Sequence, residues 1–128
     1  MSEFVSVKTQ DLVGAALDWA VAKVEAVDYR HDGIECRTRL TVRTFHHYRK
    51  PNFMPSTEWS QGGPLILNYG VSLRCIAPAN AWEADRWDDS VTPSRLVEIE
   101  AETPLIAACR AIVASVLGET VSVPKELV

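Results

Sequence analysis

The sequence predicts an α+β fold: two helices packed on a mainly antiparallel β-sheet, a two-layer sandwich in a single domain over 1–128. Three observations lead there. Two stretches, about Gln10–Glu25 and Pro104–Leu117, space their apolar residues as a buried helical face requires. Several shorter runs alternate apolar and polar residues, as half-buried antiparallel strands do. Turn-forming residues separate those runs, and such elements bury their apolar faces by stacking helices on one face of the sheet. A length of 128 residues with 47% hydrophobic content suits one domain with one core.

Phe4–Lys8 alternates and reads as a strand. Thr9 is placed to cap the first helix, with Asp11 in its first turn where the helix dipole favours an acid. Leu12, Val13, Ala16, Leu17, Ala20, Val21 and Val24 form its main stripe, and Ala15, Trp19, Ala22 and Ala26 a second. So little of the circumference is polar that the helix needs a further surface: more sheet, a partner subunit, or a ligand on Trp19.

Asp32-Gly33 marks a hairpin between Val27–Arg30 and a long alternating strand from Ile34 to Thr44. From His46 to Pro64 the chain reads as loop, punctuated by Pro51, Pro55, Gly62, Gly63 and Pro64. Leu65–Leu67 fits a helical turn or a short strand. Val71–Ile76, Ala81–Arg86 and Arg95–Ala101 read as strands. Thr103 and Pro104 start the second helix and Gly118 ends it, with Ala107, Arg110 and Ala114 expected on its accessible side. Thr120–Val123 closes the chain as a strand.

Charge and composition restrict function. A net charge of −4 argues against a nucleic-acid backbone as partner, despite the Arg37, Arg39 and Arg43 row. Between Tyr29 and Lys50 six cations face two acids, a net +4; between Trp82 and Glu102 seven acids face two cations, a net −5. These segments either pair, meet across a homo-oligomer, or leave the basic one free for an anionic ligand. There is neither a secretory signal nor an apolar run of membrane-spanning length, which points to the cytoplasm and to no membrane partner. Cys36, Cys75 and Cys109 are widely spaced, so no metal knuckle or redox pair is expected.

Three blocks resemble the NinX-like proteins of tailed phages. They are Leu17-Asp18-Trp19-Ala20-Val21-Ala22-Lys23; Pro55-Ser56-Thr57-Glu58-Trp59-Ser60-Gln61-Gly62-Gly63-Pro64-Leu65-Ile66; and Thr103 to Arg110, continuing through Val113-Ala114-Ser115 to Gly118 and ending Val123-Pro124-Lys125-Glu126-Leu127. They occur in order and cover somewhat under half the chain. The departures are Glu58, where the family commonly has aspartate, and a longer, more basic stretch from Arg37 to Lys50. The resemblance implies a small phage accessory product, dispensable for virion structure, and by association a counter-defence or host-takeover role in an infected bacterium.

The Trp59 block carries the sharpest chemistry. Thr57, Trp59, Gln61, Gly62 and Gly63 offer a stacking face, an amide and glycines that admit a ligand close to the main chain. With Trp19, Asp18, Arg39 and Arg110 they make the expected ligand site for a small anionic nucleotide, such as a host immune second messenger, held without catalysis in a homo-oligomer. The chain lacks hydrolase, P-loop and zinc-protease signatures, and the adjacent His46 and His47 point oppositely on an extended chain. No catalytic residue, metal or cofactor is expected. The competing reading is a protein-interaction module that inhibits a host protein through Trp82 and Trp87 on the acidic stretch.

Overall fold

A computed structural model describes residues 3–25, 29–31, 34–36, 53–77 and 80–128. The strands are β1 (Phe4–Lys8), β2 (Tyr29–His31), β3 (Ile34–Cys36), β4 (Ser72–Ile76), β5 (Ala81–Asp88), β6 (Arg95–Ala101) and β7 (Thr120–Pro124). The helices are α1 (Gly14–Glu25), α2 (Trp59–Tyr69) and α3 (Pro104–Leu117), with 3-10 turns at Thr9–Asp11 and Lys125–Leu127. The fold is mixed α+β. It has three described helices where two were expected, and its strands divide into separate antiparallel sheets: β1–β7, β2–β3 and β4–β5–β6.

α3 occupies the middle. Thr103 Oγ1 accepts from the Ile106 amide at 3.1 Å and Pro104 needs no donor at the first helical position, so this helix begins where its sequence indicates. It packs on β5 and β6 and also meets α1 and α2. Of the apolar face expected to be buried (Leu105, Ile106, Cys109, Ile112, Val113, Val116 and Leu117), Leu105, Cys109, Ile112 and Val113 are buried and Val116 is exposed, while Ala107, Arg110 and Ala114, the side expected to be accessible, are buried. Alanines let neighbouring elements approach a helix closely on that side as well. The buried Cys109 thiol is pushed up in pKa chiefly by desolvation, with Asp18 adding to the shift, and behaves as an inert core group.

α1 starts later than expected, at Gly14 (φ +58°), a backbone conformation that favours glycine. Thr9 is not its cap. The Thr9 hydroxyl donates to the Gly118 carbonyl at 2.7 Å and its amide to Glu119 at 2.8 Å, joining the end of β1 to the start of β7. These strands pair from Phe4 opposite Pro124 to Lys8 opposite Thr120. The surface that α1 needed is supplied within the chain: Trp19 is 4% exposed and its ring lies 5.9 Å from that of Phe4 on β1.

Tyr29 pairs with Cys36 and His31 with Ile34, so β2 and β3 form the expected hairpin. The proposed strand beyond Cys36, with Arg37, Arg39 and Arg43, lies outside the described residues. β4, β5 and β6 make a meander in which Trp82, Ala84, Arg86 and Asp88 alternate with Glu83, Asp85 and Trp87. Ala84 is fully buried and Arg86 reaches Ser115 on α3, which identifies the face turned to that helix.

Candidate functional site

The second helix corrects the expectation of a loop through Pro64. Met54 to Thr57 form a turn, and α2 follows from Trp59. Gly62, Gly63 and Pro64, which look like breakers, all lie inside it. Gly70 (φ +65°) ends the helix: its amide donates to Leu67 and the Val71 amide to Ile66 at 3.0 Å, a Schellman-type stop.

Three contacts hold the turn in place. Asp18, buried in α1, accepts from the Ser56 amide at 2.9 Å. Gln61 Oε1 accepts from the Met54 amide at 2.7 Å. Gly62 lies so close to the turn that an added Cβ would stand 2.4 Å from the Pro55 carbonyl oxygen. Asp18, Gln61 and Gly62 therefore share one neighbourhood, as expected, but they act on the turn itself. Glu58 is exposed, whereas Ser56 meets Asp18.

The remaining residues separate into outer and inner positions. Trp59 is 56% exposed at the first position of α2, beside the exposed Thr57, whose hydroxyl makes a long 3.5 Å contact with the Met54 carbonyl. Gly63 has open space where a side chain would be. Trp19 is buried, with Lys23 over its ring at 5.5 Å and its indole nitrogen without a hydrogen-bond partner among the described residues. Arg110 is 7% exposed, not accessible: it donates to the carbonyls of Leu12 at 2.8 Å and Glu100 at 2.9 Å. That position ties the approach to α1 to β6, and burial lowers the guanidinium pKa. Arg39 lies outside the described residues.

A second exposed aromatic is Trp87, 57% exposed and paired with Leu96 across the β5–β6 ladder, with Val91 exposed in the connecting turn. Asp88 stiffens that turn by accepting from the Ser90 amide and hydroxyl and from Arg95. These bonds, led by the Ser90 hydroxyl, hold its carboxyl below the ordinary aspartate range. Trp82, the other tryptophan of this stretch, is half-buried against the core. On the outer face of the meander, carboxylate oxygens of Glu83, Asp85 and Glu98 come within 4.8 Å of one another, with Arg74 paired to Glu83. Burial and then Glu83 raise the Asp85 carboxyl.

Sequence reasoning overlooked a cleft of about 480 Å3 between Arg95–Ile99 of β6 and the ends of β1 and β7. None of the described residues among those expected at the site lines it. No local motif announces it, because it forms between sheet edges brought together by the tertiary fold.

The fold and these two presented tryptophans define a compact α+β protein built around a central helix. The family model for NinX of bacteriophage P22 matches residues 8–116, and the chain belongs to that family. No curated protein matches it. Among the described residues no helix is long and apolar enough to cross a membrane.

Proposed function

We propose that this phage accessory protein is a counter-defence factor that binds and sequesters a small anionic nucleotide-type ligand without catalysis, using the exposed start of α2 around Trp59. One observation carries the reading: a largely exposed tryptophan opens α2 directly after a turn held by Asp18, Gln61 and the Gly62 contact. Exposing an indole on a flexible loop leaves its ordering to be done at binding; a pre-formed mount lowers that cost. Stacking on Trp59 supplies ~1–3 kcal/mol for any base, with Thr57 as a polar neighbour. Arg39 is the proposed partner for the anionic group, and a homo-oligomer would enclose the ligand more fully. Arg110 and Trp19 are buried and lie outside the proposed contact surface.

The test is a thermal-shift panel of cyclic and linear nucleotide signals, followed by heating the complex and analysing the released ligand. Sequestration gives a rise in Tm equivalent to ~2.7 kcal/mol at a hundredfold excess over Kd, release of intact ligand, and loss of both effects in Trp59→Ala. Altered ligand in the supernatant means an enzyme, and no shift with any compound removes the proposal.

The alternative is a protein-interaction module that inhibits a host enzyme or defence protein. The Trp87, Leu96 and Val91 patch favours it, since exposed tryptophans on stiff hairpins make effective interface anchors. Under this reading Trp87→Ala abolishes activity in infected cells and Trp59→Ala does not; sequestration demands the reverse.

A further inference from the structure

Among the described residues β6 is the outer strand of its sheet. Arg110 reveals which main-chain groups face its open side. The guanidinium donates to the carbonyl of Glu100, which lies opposite Glu83 in the β5 ladder. Main-chain groups alternate in direction along an antiparallel strand, so those of Glu98 and Leu96 also face away from β5. Among the described residues, Arg110 closes the edge at Glu100 and leaves Leu96 and Glu98, both exposed, with outward N–H and C=O groups.

The 480 Å3 cleft runs along this same stretch, from β6 across to Lys8–Gln10, Glu119 and Thr120. Glu98 and Glu119 line it, and Glu83 and Glu100 line an adjoining hollow together with Glu98. Of the two cations present, Arg95 is engaged by Asp88 and Glu119.

We propose that the β6 edge takes up an extended, basic segment of a partner protein by strand addition. Main-chain pairing at Leu96 and Glu98 supplies the affinity, and cationic side chains set beside Glu98 and Glu100 select the partner. A second copy of β6 suits the edge less well. Registers centred on Glu98 or Ile99 put Glu98 directly opposite another carboxylate, which destabilises a ladder, and the register centred on Val97 sets Leu96 against Glu98 and brings no cation to the acidic groups. This surface is independent of Trp59.

The probe is a labelled short peptide alternating lysine and valine, titrated with the full chain at physiological salt and followed by fluorescence anisotropy. Saturable binding is expected, weaker by about tenfold or more when glutamate replaces lysine. Backbone N-methylation at alternate residues along one peptide edge should cost about tenfold or more, while methylation along the other edge costs nothing. Glu98→Lys should reverse the preference between the basic and acidic peptides, and Trp59→Ala should leave binding unchanged. Absence of binding, or equal affinity for both methylated peptides, overturns strand addition. So does a chain that sediments as a dimer and becomes monomeric on Leu96→Pro with its helical circular dichroism intact, because the edge would then be a contact between copies.

Discussion

Replacing Gly62 with alanine probes the contact on which the Trp59 mount depends. Inside a helix this exchange ordinarily stabilises by ~1 kcal/mol, because alanine loses less backbone freedom on folding. Here the new Cβ would lie 2.4 Å from the Pro55 carbonyl oxygen and 2.6 Å from Leu105 Cδ2. The oxygen belongs to the main chain of a turn fixed by the Asp18–Ser56 and Gln61–Met54 hydrogen bonds, and Leu105 is itself buried. Neither neighbour can withdraw cheaply. Overpacking of this kind costs ~1–3 kcal/mol, and a main-chain clash belongs toward the upper end, so a net loss of ~1–2 kcal/mol is expected. Gly63 is the control: its Cβ would meet nothing within 4 Å, so Gly63→Ala should gain ~0.5–1 kcal/mol. Urea denaturation should move the two midpoints in opposite directions at unchanged slope. A Gly62→Ala protein as stable as the parent would refute the close approach of α2 to the turn.

Other perturbations separate support from function. Arg110→Met should destabilise by ~2–4 kcal/mol, since it strips donors from the carbonyls of Leu12 and Glu100; a loss of ligand binding with unchanged urea stability would count against the structural role. Tyr69→Phe removes the 2.5 Å hydrogen bond to Glu25, whose carboxyl burial already raises in pKa despite that bond. A raised carboxyl favours the folded state most below its unfolded pKa and less as pH climbs through the folded value. The variant should therefore lose ~1–2 kcal/mol near neutrality and less in acid, as urea titrations at both pH values would show. Asp88 has the opposite sign: its lowered carboxyl stabilises above the unfolded pKa of ~3.9 and loses that contribution as pH falls through the folded value. Asp88→Asn should flatten the acid limb of the stability–pH curve, and an unchanged limb would show that the Ser90 and Arg95 contacts do not persist in solution.

Local signals explain why both ends of α3 and most of the described strands were legible. Thr103-Pro104 satisfies or removes the first orphan donors of α3 within four residues, and Gly118 ends it, so no tertiary information is needed. Alternation likewise located β1, β4, β5, β6 and β7, because side chains of a strand pointing to opposite faces meet different environments. α2 escaped for the complementary reason. Gly62-Gly63-Pro64 is locally a breaker signal, and the helix persists because packing of its first turn against Pro55 and Leu105 overrides that preference. For the same reason Gly62 was taken for a ligand contact when it serves a helix-to-turn contact.

Arg110 shows the limit most plainly. Alanines three and four residues away describe small neighbours equally well at an open surface and where β6 and the approach to α1 close over a helix. Composition, periodicity and capping residues thus determined the α+β class and most of the elements, and the ordered sequence blocks pointed to the family; all of these are properties of short stretches of chain. Which residues stay on the surface, Trp59 and Trp87, and which are drawn inside, Trp19 and Arg110, was decided only when distant segments packed. Burial is a property of what covers a residue, and its covering comes from elsewhere in the chain.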